Sequence, residues 1–210
     1  MSYKLETINK IFKNIVFKFK TKQIYQKTTT IENFKSAIES KDELQAISLL
    51  NDLSFNPSFE NDWALSKAAT YNLHCLVEVL LKDERCKLTN CFILSNAILK
   101  NNIDIVKLLL ADPRVDPTES VDSSCVSNYA IRVASENGYV DIVKLLLEDE
   151  RVDPFDNYNY AIKYAYENGH IDIVELLWND KRVKCTLQND NLELYNTLIT
   201  KDVKNKVNQF

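Results

Sequence analysis

Glycine is almost missing: Gly138 and Gly169 are the only two in 210 residues. A phosphate-cradling P-loop or a dinucleotide loop needs several glycines close together, so neither can be built here. With only four prolines as well, the chain is short of the turn residues an all-β protein needs, and composition leans towards helix. His74 and His170 are the whole supply of histidine. Five cysteines, an odd number without framework spacing, read as free thiols and suit a reducing compartment. Cys86 and Cys91 have no matching Cys/His pair nearby, which argues against zinc. No apolar run approaches a membrane span, and the N-terminus lacks a signal-peptide core followed by a small-residue cleavage site. These absences predict a soluble intracellular protein, cytoplasmic in location. A net charge of −4 argues against non-specific nucleic-acid binding.

What is present is a repeat. The stretch Asn128 to Pro154 recurs from Asn159, and its second half appears again from Ile103 to Pro117. Self-similarity at about 30 residues sets the architecture before any residue acquires a role. Alanines share one slot at Ala37, Ala68, Ala97, Ala134 and Ala165, at spacings of 31, 29, 37 and 31 residues. A small residue there lets two short helices approach closely. Some eleven residues after each alanine come two or three leucines, as in Leu145-Leu146-Leu147, with a one-residue slip expected in the first repeat. Their apolar arc is wide enough to be buried against neighbours on both sides.

Gly138 and Gly169 share a slot with Asn72 and Asn101, the residues a helix C-terminus needs where φ must turn positive. Asp104, Asp141 and Asp172 fall in the first turn of the second helix, complementing its dipole. Pro57, Pro117 and Pro154 end the units in an extended connector. Asp83, Asp112, Asp149 and Asp180 recur in register with Arg85, Arg114, Arg151 and Arg182, predicting a structural Arg/Asp ladder along one edge. The units run approximately over 34–60, 63–90, 92–120, 128–156 and 159–187, within a stack covering 31–187. Residues 188–210 read as a closing helix, with Leu194 and Leu198, and a polar tail.

Two stretches stand outside this pattern. Residues 1–30 carry seven lysines against Glu6, a net +6, with Leu5, Ile8, Phe12, Ile15 and Phe19 at helical spacing. This basic amphipathic segment is either a cap on the first repeat or an arm that docks on an anionic membrane or a partner's groove; disorder is the third reading. Extra residues around Ser120 to Ser127 form a loop insertion, from drift or as a partner-specific finger.

The paired short helices, the Gly-Tyr or Gly-His turn, the leucine-rich second helix and the extended connector resemble ankyrin repeats. The resemblance covers roughly residues 34–187. Tetratricopeptide repeats have longer helices and no Asp-Pro connector. The usual Thr-Pro-Leu-His opening is replaced here by Tyr129-Ala130-Ile131-Arg132 and Tyr160-Ala161-Ile162-Lys163. The Arg-Val-Asp-Pro ending resembles divergent ankyrin proteins of amoebal giant viruses and some amoebae. Five arginines against 21 lysines suit an AT-rich genome, and a viral origin would place the protein in the host cytoplasm.

The expected fold is therefore an all-α ankyrin-repeat solenoid of stacked helix-turn-helix units with short extended connectors. The expected function is non-enzymatic protein–protein interaction by a monomer, without cofactor, metal or catalytic residues. The carboxylate pairs of the connectors recur in register, whereas a catalytic pair would occur once. His74 and His170 read as packing or capping groups. The family binds partners on a concave face of connector tips and exposed first-helix sides. The resemblance transfers that face to Asn128, Glu136 and Asn137, then to Phe155, Asp156, Asn157, Tyr158, Asn159, Glu167 and Asn168. An acidic, amide-rich face with Phe155 and Tyr158 as anchors predicts a partner with a basic or polar patch. The alternative is an adaptor whose residues 1–30 dock on a membrane or second protein while the repeats hold a target. An F-box is excluded by the lack of proline before Pro57.

Overall fold

The structure is a computed structural model, and it describes residues 28–51, 56–88, 92–119, 128–190 and 192–207. Most of the basic N-terminal segment, the insertion at Ser120 to Ser127 and the last three residues lie outside the described residues. The described secondary structure is all helical. Helix α1 covers residues 28–39, followed by α2 (Glu43–Leu50), α3 (Phe59–Tyr71), α4 (His74–Lys82), α5 (Phe92–Leu99), α6 (Ile103–Ala111), α7 (Tyr129–Glu136), α8 (Val140–Glu148), α9 (Asp156–Glu167), α10 (Ile171–Asn179), α11 (Lys181–Asp190) and α12 (Leu192–Val207). Helices α3, α5, α7, α9 and α11 follow one another in one layer, and α2, α4, α6, α8 and α10 in the other. Helix α1 joins the first layer through Phe34, whose ring meets Phe59 edge-on at 6.3 Å. This is an all-α solenoid of helical hairpins.

The alanine slot explains the close pairing. All five alanines are buried, and each carbonyl accepts a bond from the amide five residues on, at 2.8–2.9 Å: Asp42, Leu73, Asn102, Tyr139 and His170 donate. That is the six-to-one bond of a Schellman turn. The residue before each donor must take positive φ, and Asn72, Asn101, Gly138 and Gly169 do so, as the sequence predicts; Lys41 fills the slot in the first hairpin. Each inner second helix then buries one triad against both neighbours, such as Leu76, Val77 and Leu80, or Ile142, Val143 and Leu146. Helix α2 buries Ala46 and Leu50 with Ile47 half-buried, one residue later than that triad, which is the slip expected there.

The two glycines differ in their surroundings. A Cβ on Gly138 would lie 2.7 Å from the ring of His170, whereas one on Gly169 would meet nothing within 4 Å. Replacing Gly169 by alanine is expected to cost only the left-handed penalty, about 1–2 kcal/mol. Gly138→Ala must also displace His170 and lose its bond to the Glu136 carbonyl, 3.0 Å away, about 1 kcal/mol more. Thermal unfolding should place Gly138→Ala a few degrees below Gly169→Ala; equal midpoints would mean His170 does not pack as described.

After α10 the extended connector is absent. The Val-Asp-Pro that ends two inner hairpins is Val183-Lys184-Cys185 here, and without the proline the chain re-enters a helix, α11, at once. Trp178 is buried against Tyr195 of α12, centroids 5.6 Å apart, and Leu194 and Leu198 are buried as expected.

Candidate partner-binding face

The connectors are held by the ladder, in a richer form than ion pairs along an edge. Each aspartate accepts from the guanidinium two residues on, with closest distances of 2.6–2.7 Å. It also accepts from that arginine's backbone N–H. Locked this way, each arginine reaches back one repeat. Arg114 donates to the carbonyls of Cys86 and Leu81, Arg151 to Val115 and Leu110, and Arg182 to Val152 and Leu147. Arg85 donates to Leu50. The leucine carbonyls belong to the last turn of the preceding second helix, where intrahelical donors run out and a cation complements the dipole.

The arginines hold the four aspartates below the usual carboxylate range, against a smaller opposing effect of burial. A depressed folded pKa adds stability that is complete above the unfolded value, about 3.9. That stability is lost as pH falls through the folded value. Asp153 and Glu119, both pushed up by burial, act with the opposite sign, but they are two groups against four. The urea midpoint is expected to stay level from pH 7 to about 5 and to fall steeply below about 4. A level midpoint down to pH 3 would remove the ladder from the stability of the fold.

Six residues before the alanine slot lies a buried polar position with positive φ: Asp62, Asn128 and Asn159. Asn128 donates to Asp156 (3.1 Å), accepts from the Asp153 amide (2.7 Å), and its own amide bonds the Thr118 carbonyl. Asn159 accepts from the Thr186 hydroxyl at 3.0 Å. At 4% and 0% exposure, both lie inside the fold, and their side chains hold connectors together. This corrects the expectation that they contact a partner. Asp156 is half-buried and engaged with Asn128. The side chain of Asn157 lies outside the described residues.

The remaining positions do face solvent or its margin. Glu136, Asn137, Glu167 and Asn168 are exposed at the ends of α7 and α9, and Phe155 is half-buried at the start of α9. Tyr158 is 80% exposed, with φ of 57°. A bulky residue in the left-handed region is an outlier, and here it turns the ring outwards beside Phe155.

Five residues before the alanine slot the structure shows an aromatic row: Trp63, Phe92, Tyr129 and Tyr160. It is legible only once the repeats are aligned. Arg132 lies over Tyr160 at 4.4 Å and Tyr129 at 5.9 Å, Tyr160 stacks on Tyr164 at 3.8 Å, and the Tyr160 hydroxyl donates to Glu136 at 3.4 Å. Among the described residues, no group of three His, Cys, Asp or Glu side chains is placed to hold a metal ion. Burial pushes the Cys86 thiol up to about 12.

The family model of ankyrin repeats matches residues 94–190, in three copies. Residues 94–190 are ankyrin repeats. No curated protein matches the chain. The ankyrin match begins in α5 and ends with α11, and the hairpins before it share its alanine slot and turn geometry. Where the family's Thr and His would stand, Tyr129 and Arg132 make a cation–π contact that Tyr160 extends to the next repeat. Such contacts contribute about 0.5–2 kcal/mol. No helix among the described residues is long and apolar enough to cross a membrane.

Proposed function

We propose that this chain is a non-enzymatic scaffold that binds another protein through the concave face of its ankyrin stack. Ankyrin repeats mediate protein–protein interaction in general. The observation that carries the finer reading is the start of α9 at Phe155 to Tyr158, where a strained backbone holds an aromatic ring 80% exposed. Exposed Glu136, Asn137, Glu167 and Asn168 lie on the ends of the adjoining first helices. An aromatic anchor with acidic and amide neighbours suits a partner surface that is basic or polar. In this reading the protein works as a monomer, and its odd cysteine number suits a reducing compartment inside the cell.

The test is affinity capture by the intact chain beside a triple variant, Phe155→Ala, Glu136→Lys and Glu167→Lys. Loss of the captured partner with an unchanged melting temperature supports the face. Equal capture sinks it. A second reading, the adaptor, is favoured by the net +6 and apolar stripe of residues 1–30, which would dock on a membrane or second protein while the repeats hold a target.

A further inference from the structure

The second helices α4, α6, α8 and α10 end in Lys82, Ala111, Glu148 and Asn179. Three of these are long polar side chains, and Ala111 is a methyl group. Where the methyl stands, between the ends of α6 and α8, the surface opens into a groove of about 430 Å³, within the range of about 300–1,000 Å³ typical of ligand sites. Its floor is apolar: Leu110 and Leu145 are half-buried and Ala111 is exposed. The cations along it are engaged. Lys107 faces Asp104 at 3.9 Å, and Lys144, one turn before Glu148, turns to Asp141 at 3.3 Å. Arg151 grips Asp149 and the carbonyls of Val115 and Leu110. The rim carboxylates, Glu148 and Glu150, are exposed and have no ion pair among the described residues.

The geometry points to this groove as a second docking site, for a segment of another protein in which a lysine or arginine stands beside an apolar residue. It lies in the layer of second helices, apart from the ends of α7 and α9 that carry Glu136 and Glu167, and it does not depend on the concave-face reading. The chemistry of the occupant follows from the lining. An apolar side chain, or the methylene stem of the basic residue, covers Leu110, Ala111 and Leu145, while the cationic head answers Glu148 and Glu150. The same two carboxylates repel an acidic segment, so the site discriminates as well as attracts. Its back wall is already fixed by the bonds of Arg151 to Asp149 and Leu110, so docking has little of the groove left to order.

The experiment pans a phage-displayed library of random dodecapeptides on the full chain and measures how tightly the recovered peptides bind three full-length variants. Ala111→Lys lays a long side chain over the floor, because Lys107, one turn back, repels it towards Glu148. Ala111 is exposed in the last turn of α6, where a cation suits the dipole, so the fold should be unchanged. Glu148→Gln with Glu150→Gln removes the rim charge. The third variant is the triple Phe155→Ala, Glu136→Lys, Glu167→Lys. The expected peptides carry lysine or arginine beside an apolar residue. Ala111→Lys should bind them at least tenfold more weakly, the glutamine pair several-fold more weakly, and the triple variant as well as the full chain does, with melting temperatures within a degree or two. Equal binding by Ala111→Lys, or no recovered peptide, would overturn the groove. Loss in the triple variant alone would do the same while leaving the concave face standing. Should Ala111→Lys melt lower, the glutamine pair decides, and unchanged affinity there overturns the site. Acidic peptides lost in Ala111→Lys would overturn the chemistry of the occupant. A dimer of the full chain that Ala111→Lys breaks would make the occupant a second copy and overturn the choice of another protein.

Discussion

Leu146→Ala is expected to cost about 3 kcal/mol, and to change the shape of the unfolding curve as well as its midpoint. Leu146 is fully buried in α8, between α6 and α10, so truncation loses the transfer energy of its methyl groups and leaves a cavity that rigid neighbours on both sides cannot close. In a stack, stability is approximately the sum of hairpin terms and interface terms between neighbours. A lesion in α8 weakens its own hairpin and both interfaces, leaving the hairpins before α7 and the helices after α8 as separable blocks. Urea denaturation should show a midpoint lower by about 1 M and a broadened or two-step transition. Leu145 is only half-buried beside it and sets the comparison. If Leu145→Ala destabilised as much as Leu146→Ala, the triad would not be the core of the repeat.

The helical hairpins are legible in the amino-acid sequence because their demands fall on residue identity. A carbonyl-to-amide turn with positive φ selects glycine or asparagine, and Gly138, Gly169, Asn72 and Asn101 recur in register. A close helix crossing selects alanine, and five alanines recur. Lys41 takes the same left-handed conformation with no such signature, because the turn's hydrogen bonds and the packing of α1 on α2 override a residue's own preference. The ladder is legible as Asp and Arg in step. Its targets are not, because the carbonyls of Leu81, Leu110 and Leu147 are backbone groups that every residue carries.

The candidate face is less legible, for a physical reason. Asn128 and Asn159 stand 31 residues apart in one slot, and Asp62 occupies it too. Recurrence in register marks the Asp-Glu-Arg carboxylates as structural, and the same property in these three residues goes with their place as helix-entry braces. What distinguishes Tyr158 is a large ring, 80% exposed, in a slot that the aligned sequence fills with Asn61, Asn90 and Ser127. Positive φ at Tyr158 and Asn159 repeats that of Asn61 and Asp62 in the same slots, so the backbone follows the period and the ring does not.

Arg151→Ala is expected to cost about 2–3 kcal/mol, an effect set by what the substitution strands as much as by what it removes. Asp149, whose side chain is only 14% exposed, would lose its countercharge, and the carbonyls of Val115 and Leu110 would lose donors at 2.8 and 3.1 Å. A part-buried carboxylate without its partner is penalised more than the pair was worth, though the arginine's own 38% exposure keeps the loss below that of a fully buried pair. Adding Asp149→Ala to Arg151→Ala should therefore cost little more, and the double-mutant cycle should return a coupling of at least about 1 kcal/mol. Arg151→Lys is the sharper variant. One ammonium cannot grip Asp149 and two carbonyls at the same time, as the fork of the guanidinium does, so lysine should restore less than half of the lost stability in urea denaturation. Full restoration would reduce the ladder to a row of point charges, and the reach from each repeat to the one before it would carry no weight in holding the stack together.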